Sequence, residues 1–372
     1  MADWNKADVA YMRQALDLAW QGRFSTAPNP RVGCVVVRGG QVVGQGFHVR
    51  AGEAHAEVHA LRQAGAAARG ATAYVTLEPC AHYGRTPPCT QALVDAGVAR
   101  VVAAMRDPNP LVAGKGLMML QAAGIETAFG LLEDEARALN RGFLSRMERQ
   151  RPFVRLKTAI SLDGKTALAD GRSQWITGAA ARADVQILRA ESCAVLTGIG
   201  TVLADNPRLT VRDFDTLRQP VRVVLDSGLR LPENSVLVQD GLPTWVTTLS
   251  DDVERFAAYS HVSIIKIAKD NQGCVDIGAL LAELAARGVG ELLVEAGAAV
   301  NTAFLQGGWV DEMVVYQSPK LLGDAARGAF TLAQNPDVLT REAEWQTVSV
   351  QVLDKDIKWV LRKNTADEQP CV

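Results

Sequence analysis

The sequence predicts an α/β protein of two domains. Its 372 residues exceed the span that one hydrophobic core usually serves, about 250–300 residues. Short β-branched runs alternate with helical patterns along the chain. A charged run closing on proline, Arg146-Met147-Glu148-Arg149-Gln150-Arg151-Pro152, interrupts that alternation. These observations place the domains at 1–150 and 151–372. The competing reading makes the charged run a solvated helix end within one large domain.

In the first half, Val9, Met12, Leu16 and Ala19 recur at helical spacing and predict a helix over 6–22. Ala27-Pro28-Asn29-Pro30 is a rigid turn that no helix crosses. The runs Val32–Val37 and Val42–Phe47 flank Arg38-Gly39-Gly40-Gln41, a hairpin signature. A helix is expected from about Ala54 to Ala66, a strand over Ala73–Leu77, a helix over Cys89–Ala96 and a strand over Val101–Ala104. The alternation continues to about Gly130, and one helix is expected over 131–150.

The second half restarts with a strand, Phe153–Ala159, and a turn at Ser161-Leu162-Asp163-Gly164-Lys165. A helix over 179–190 leads to a strand over 193–197. Further strands are expected at 221–225, 244–248, 262–267, 291–295 and 310–317, with helices near 277–287 and 298–306. A β-rich stretch from Thr347 to Arg362 suggests a mixed sheet, and the polar tail from Asn364 reads as frayed.

The formal net charge is -2 and the sequence pI about 6.3. Nucleic-acid binding is dominated by phosphate neutralisation with Lys and Arg, so this balance argues against a nucleic-acid partner. It suits a small-molecule enzyme with a local cationic pocket. The start, Met1-Ala2-Asp3-Trp4-Asn5-Lys6, lacks the basic and apolar regions of a signal peptide, and no apolar stretch is long enough to span a bilayer. A cytoplasmic protein is expected. Six cysteines, at 34, 80, 89, 193, 274 and 371, are too sparse for a disulfide framework and read as metal ligands or fillers.

The chemistry-bearing signal is His55-Ala56-Glu57, then Glu78-Pro79-Cys80, then Pro88-Cys89. A hydrolytic zinc site takes three protein ligands and leaves a fourth position open for water. One imidazole and two thiolates supply the three: His55, Cys80 and Cys89. Zinc lowers the water's pKa toward neutrality, and a carboxylate that is not a ligand can then move the protons. Glu57, two residues from His55 on what reads as the same early helical turn, fits that catalytic role. Both Pro-Cys segments are expected near helix starts, where the dipole favours anions.

Zinc deaminases carry H-x-E…P-C-x-x-C. Here eight residues separate Cys80 from Cys89, and the inserted loop brings His82 and Arg85, groups suited to a substrate phosphate. A structural zinc with His59 as fourth ligand is the rival reading, and it leaves Glu57 without a role. The H-E-x-x-H of zinc proteases does not match, because Ala56 follows His55. A nucleic-acid-editing deaminase with an accessory domain is a further rival, and the charge balance opposes it.

The segments H-A-E-V-H-A-L, T-L-E-P-C-A-H-Y-G-R-T-P-P-C and D-P-N-P resemble the bifunctional deaminase–reductases of riboflavin biosynthesis. The likeness continues in K-T-A-I-S-L-D-G-K-T, S-Q-W-I-T, T-V-L-A-D-N-P-R-L-T-V-R and L-L-V-E-A-G, and spans about residues 6–362. It implies a cytidine-deaminase-like three-layer domain followed by a dihydrofolate-reductase-like domain. It further implies loss of the 2-amino group from a diaminopyrimidinone ribosyl phosphate, then NADPH-dependent reduction of ribosyl to ribityl. Zn2+ and NADPH are the implied cofactors, and a homo-oligomer is expected. By the same resemblance, Asn29, His48, His82, Arg85 and Asn109 line the deaminase pocket. Read from the residues alone, Asn29 and Asn109 are better explained as turn residues.

The second half is less legible on its own. Gly198-Ile199-Gly200 follows a strand but lacks the third glycine of a Rossmann fingerprint. The join from Leu292-Leu293-Val294-Glu295 through Ala296-Gly297 to a helix offers free N–H groups to an anion, or is an ordinary packing glycine. The resemblance implies that Ala159, Trp175, Thr201, Asp205, Ser227 and Gly297 contact NADPH. It implies that Ser173, Arg189, Leu209, Arg212 and Glu295 hold the substrate. Lys157 and Asp205, read as polar groups near strand ends, could assist proton delivery. Trp175 also reads as a core anchor, and Arg189 as a helix-end cation. A regulatory, ligand-binding C-terminal half is the alternative function.

Overall fold

Alternate residues of one strand decide the layering of the first half. In the computed structural model, which describes residues 4–81, 87–109, 113–333 and 344–363, Val35 and Val37 pack into one hydrophobic cluster and Cys34 and Val36 into another. A strand buried on both faces requires cover on both. The chain divides into two compact units, Met1–Arg151 and Pro152–Val372.

The first unit runs α1 (Lys6–Gln21), β1 (Gly33–Arg38), β2 (Gln41–Phe47), α2 (Ala56–Ala64), β3 (Thr72–Val75), α3 (Cys89–Ala96), β4 (Arg100–Ala103), α4 (Lys115–Ala122), β5 (Glu126–Phe129), α5 (Glu133–Leu139) and α6 (Arg141–Arg149). Among the described residues its sheet has the order β2-β1-β3-β4-β5. β1 is antiparallel to β2 and β3, while β3, β4 and β5 are parallel. Helices α1, α5 and α6 contribute Met12, Leu16, Ala136 and Leu144 to one face. Helices α2, α3 and α4 contribute Ala60, Leu93 and Leu120 to the other. The result is a helix–sheet–helix sandwich.

Two glycines set how closely those layers meet. A Cβ on Gly33 would lie 2.0 Å from the Ala15 carbonyl oxygen of α1, and one on Gly44 would lie 2.1 Å from that of Ala60 in α2. Helix α1 starts at a capping box, in which Asn5 accepts from the Asp8 N–H at 2.8 Å and Asp8 accepts from the Asn5 N–H. Such a cap contributes roughly 1 kcal/mol.

The single helix expected over 131–150 is two. Asn140 breaks it, with φ -108° and ψ 20°. Its side chain accepts from the Arg31 N–H at 2.8 Å and donates to the Arg31 carbonyl at 2.9 Å. Local periodicity could not report that long-range pairing.

The second unit comprises β6 (Phe153–Ile160), β7 (Lys165–Ala167), α7 (Ala179–Glu191), β8 (Ala194–Gly198), α8 (Ile199–Asp205), β9 (Val221–Leu225), α9 (Val236–Gln239), β10 (Thr244–Thr248), β11 (Val262–Lys266), α10 (Ile277–Ala286), β12 (Glu291–Val294), α11 (Ala298–Gln306), β13 (Glu312–Gln317), β14 (Arg327–Gly328), β15 (Trp345–Leu353) and β16 (Asp356–Lys363). Its main sheet, among the described residues, has the order β11-β10-β9-β8-β12-β6-β13-β16-β15. The seven strands from β11 to β13 are parallel, and the hairpin β15–β16 adds antiparallel strands beyond β13. This is the mixed sheet that the strand-rich end suggests. Lys157, read as lying near a strand end, sits within β6 opposite Val314. Asp205 ends helix α8 rather than a strand. The polar tail from Asn364 lies outside the described residues.

Candidate functional site

In the first unit, the strand ends carry the chemistry. The chain enters β1 from Asn29, leaves β2 at His48, leaves β3 through Thr76 to Cys80, and leaves β4 toward Asn109. His55 caps α2 rather than lying on its first turn, as expected from sequence; its φ of -76° and ψ of 166° are extended. Glu57 is inside that first turn and 3% exposed. Cys89 is the first residue of α3.

His55 Nδ1 lies 3.3 Å from Cys89 Sγ and 3.6 Å from Cys80 Sγ, and all three ligand atoms fall within 4.8 Å of one another. Ligands of a tetrahedral zinc ion, at about 2.3 Å for sulfur and about 2.0–2.1 Å for nitrogen, stand at comparable separations from each other. The geometry and donor types fit zinc. Cys80 precedes α3 by nine residues, yet its Sγ accepts the Cys89 N–H at 3.2 Å. Both sulfurs therefore sit at the start of α3, where backbone donors and the helix dipole favour thiolate. The hydrogen bond from Cys89, foremost, holds the Cys80 thiol low, and the same bond, with burial, pushes the Cys89 thiol up. His55 is raised, chiefly by its hydrogen bond with Cys80.

Burial, then the charge of Cys80, pushes the Glu57 carboxyl up to about 7. A carboxyl near neutrality can both take and return a proton. Beside it, Asn29 Nδ2 lies 3.0 Å from His48 Nε2, and His48 Nδ1 lies 3.1 Å from the Ala54 carbonyl oxygen. A carbonyl only accepts, so Nδ1 carries the proton and Nε2 accepts from Asn29. Burial lowers the His48 pKa, which favours that neutral form. The His48 and His55 rings meet edge to face, with centroids 5.3 Å apart. The Asn29 side chain thus bonds to His48, 19 residues away, rather than to its own turn. The Asn109 N–H donates to Asp107 Oδ1 at 2.9 Å. His82 and Arg85 lie outside the described residues.

His59, the fourth ligand of the rival structural-zinc reading, is not in the metal-ligand cluster found among the described residues. Sequence reasoning missed Glu78. It is 3% exposed, and its carboxylate accepts the backbone N–H groups of Asp107, Gly114, Gly116 and Leu117 at 2.9–3.3 Å. The glycines at 114 and 116 were the available signal, as bare N–H donors.

In the second unit, the strand order β9-β8-β12-β6 brings four carboxyl ends side by side. Ser227 follows β9, Thr201 follows β8, Gly297 follows β12, and Ala159 is near the end of β6. Ligands of open parallel sheets bind along that edge. Gly297 caps α11 without a side-chain bond, and a Cβ there would meet only Thr201 Oγ1, at 3.9 Å. Thr197 Oγ1 and Asn301 Oδ1 near this edge are buried and have no hydrogen-bond partner among the described residues. Bare N–H groups, open space and orphaned polar atoms fit a pyrophosphate-bearing cofactor. Trp175 is 61% exposed, so it is no core anchor; Arg182 stacks on its ring at 4.5 Å.

Next to this edge, Arg189 in the last turn of α7 donates to Glu295 through Nε at 2.6 Å and Nη2 at 3.0 Å. Lys157 Nζ is 3.9 Å from Glu295 Oε2. Burial lowers Lys157, while Glu295, which burial alone would raise, is held low by the charge and hydrogen bonds of Arg189. Burial and the charge of Arg189 also lower Arg212, which shares its surroundings. Leu209 is buried at φ 55°, and Ser173 is half-buried two residues before Trp175.

Two family models match the chain. Residues 5–105 match the cytidine and deoxycytidylate deaminase zinc-binding region, and residues 152–359 match the RibD C-terminal domain. The riboflavin biosynthesis protein RibD of Escherichia coli is 52% identical, with 87% of this chain and 91% of that protein covered. This chain belongs to the RibD family.

The RibD of Haemophilus influenzae is 48% identical, covering 96% and 98% of the two chains. Among solved structures, RibD of Acinetobacter baumannii superposes with a TM-score of 0.90 at 48% identity, covering 97% of this chain and 99% of the other. A Thermotoga maritima diaminohydroxyphosphoribosylaminopyrimidine deaminase/5-amino-6-(5-phosphoribosylamino)uracil reductase gives 0.85 at 36% identity, covering 96% and 99%. The folds are accordingly cytidine-deaminase-like and dihydrofolate-reductase-like, which explains the missing Rossmann fingerprint. As a RibD, the chain is a bifunctional deaminase and reductase of riboflavin biosynthesis that uses zinc and NADPH. A purely regulatory C-terminal half is set aside. No helix among the described residues is long and apolar enough to cross a membrane.

Proposed function

We propose that residues 1–150 deaminate 2,5-diamino-6-ribosylamino-4(3H)-pyrimidinone 5′-phosphate and that residues 151–372 reduce the ribosyl group of the product to ribityl. The observation that carries the first half is the convergence of His55, Cys80 and Cys89 beside the buried Glu57. The name of the Thermotoga maritima structure describes the same pair of activities.

His55, Cys80 and Cys89 would hold zinc. The metal supplies Lewis acidity that makes water nucleophilic near neutral pH. Hydrolysis replaces the 2-amino group by oxygen and releases ammonia. A Glu57 Oε atom would take one proton of the water and pass it to a ring nitrogen, then take the second from the hydroxyl on the tetrahedral carbon and pass it to the departing amine, so that the C–N bond breaks as the C=O bond forms. Asn29, held to neutral His48, presents its amide to the pyrimidine. Asn109, with His82 and Arg85, completes the pyrimidine and ribose-phosphate contacts.

NADPH supplies the hydride of the second step. Ala159, Trp175, Thr201, Asp205, Ser227 and Gly297 bind it along the carboxyl edge of β9, β8, β12 and β6. Reduction also consumes a proton, and Lys157, a buried amine with a lowered pKa, is placed to deliver one. Glu295 is clamped by Arg189 and orients the sugar, with Ser173 and Leu209 as neighbours. Arg212, which shares the surroundings of Arg189 and Glu295, would meet the 5′-phosphate.

We further infer that the chain works in the cytoplasm as a homo-oligomer. The free cysteines Cys34, Cys193 and Cys274 suit a reducing compartment. The edge strand β15, with Val348, Val350 and Val352 exposed, offers a second copy a pairing surface. Light scattering after gel filtration tests the association.

The assignment of both steps is tested by ammonia and NADPH assays on the purified protein. Ammonia release without NADPH, followed by NADPH oxidation once deaminated product has formed, is expected. NADPH oxidation on the undeaminated compound would reverse the proposed order.

A further inference from the structure

We infer that Glu78 is a positioning residue of the deaminase site, whose carboxylate holds the loop that carries Asn109 against the segment that presents Cys80. This rests on the proposed contact of Asn109 with substrate. Glu78 leaves β3 two residues before Cys80, and its own N–H donates to the Met105 carbonyl at 2.9 Å, just beyond β4. Its side chain is buried and used at both oxygens. Oε1 accepts from Gly116 at 2.9 Å and Leu117 at 3.3 Å, in the first turn of α4. Oε2 accepts from Asp107 at 3.2 Å and Gly114 at 3.0 Å.

A carboxylate that only capped α4 would need the first pair of bonds alone. The second pair ties the two ends of the excursion from Asp107 to Gly114, and Asn109 lies on it. That excursion is bound internally as well: the Asn109 N–H donates to Asp107 Oδ1, and the Asn109 carbonyl accepts from Ala113 at 2.9 Å. The start of α4 also packs directly on the segment that leads to Cys80, since a Cβ on Gly116 would stand 2.1 Å from the Pro79 carbonyl oxygen. One buried carboxyl side chain thus bridges the metal-ligand segment and the loop proposed to bind substrate. Charge-assisted bonds from backbone N–H groups are the stiff kind suited to this.

The variant Glu78→Gln keeps size but turns an NH2 group toward N–H donors, so one oxygen's pair of bonds is lost. In zinc-replete protein we expect the KM for the diaminopyrimidinone ribosyl phosphate to rise about 10-fold, with kcat falling less and zinc still bound at one per chain. Glu78→Asp, which keeps the charge at shorter reach, should restore part of the KM. In the double variant Glu78→Gln/Asn109→Ala, the KM should be no worse than in Asn109→Ala alone, because both changes remove one contact. An unchanged KM in Glu78→Gln, or losses confined to melting temperature and active fraction in both Glu78 variants, would overturn the inference. Fully additive effects of the two substitutions would overturn it as well. If Asn109→Ala is silent while Glu78→Gln still raises KM, the reading of Asn109 fails and the positioning role of Glu78 stands.

Discussion

The Cys89 N–H donates to Cys80 Sγ at 3.2 Å, so the first metal-binding thiol is held by the backbone of the second. The eight residues between them therefore need not be short or regular to keep the two sulfurs together at the start of α3. Cys80→Ser removes the soft donor while the helix start remains. Zinc binding should weaken at least about 100-fold, as read by competition with a chromophoric chelator. Ammonia release should fall with zinc content, and NADPH oxidation on deaminated substrate should stay within about 2-fold.

Glu57 is buried and is not one of the three clustered ligands. Glu57→Gln keeps its shape and hydrogen-bonding reach but cannot accept and return a proton. The kcat for ammonia release should fall by about 10²–10⁴, with zinc still at one per chain by elemental analysis. Metal loss in that variant would make Glu57 a ligand.

Arg189 and Glu295 form a two-pronged ion pair whose side chains are 11% and 9% exposed. Glu295→Gln strands the guanidinium charge and should cost about 3–5 kcal/mol at pH 7. The sign with pH follows from the lowered Glu295 pKa. A carboxylate depressed in the folded state contributes stability above its unfolded pKa of about 4.3, and that stability is lost as pH falls through the folded value. Urea unfolding of wild type and variant should therefore differ most at neutral pH and converge at acid pH. A difference that grows on acidification would refute this account.

At Gly44, an added Cβ would press into the Ala60 carbonyl and the Ala64 N–H, at 2.1 and 2.8 Å. Gly44→Ala should destabilise the first unit by about 1–3 kcal/mol and displace α2, which carries Glu57. A lowered melting temperature together with a lower kcat for ammonia release is the expected outcome.

Trp175 is exposed, with Lys320 Nζ donating to its carbonyl at 2.6 Å. Trp175→Ala should change stability by no more than about 0.5 kcal/mol, yet weaken NADPH binding about 10-fold. Fluorescence titration with NADPH separates the two effects. A large drop in melting temperature with unchanged affinity would return Trp175 to a packing role.

Much of this was legible in the chain because the signals were local. The helix over Cys89–Ala96 and the strands over 221–225 and 244–248 have the bounds that periodicity predicts. Short helices such as α8 and α9 were missed, since four to seven residues carry too few turns for a period to register. The break at Asn140 escaped because its cause, the Arg31 backbone, lies 109 residues away.

By itself, the sequence determined the donor types of the metal site, the carboxylate beside it and the two-part α/β organisation, since each is written in residue identity or short-range spacing. The tertiary structure alone decided that His55 caps its helix, that Cys80 shares the start of α3 with Cys89, and that Asn29 turns to His48. It also decided that Arg189 spends its fork on Glu295 and that Glu78 gathers four backbone donors. The physical reason is that residue identity does not encode the path of the backbone: the cap at His55 and the bond across the nine residues from Cys80 to Cys89 are set by loop conformation, and the bonds of Asn29, Arg189 and Glu78 join segments that only the folded sheet brings together.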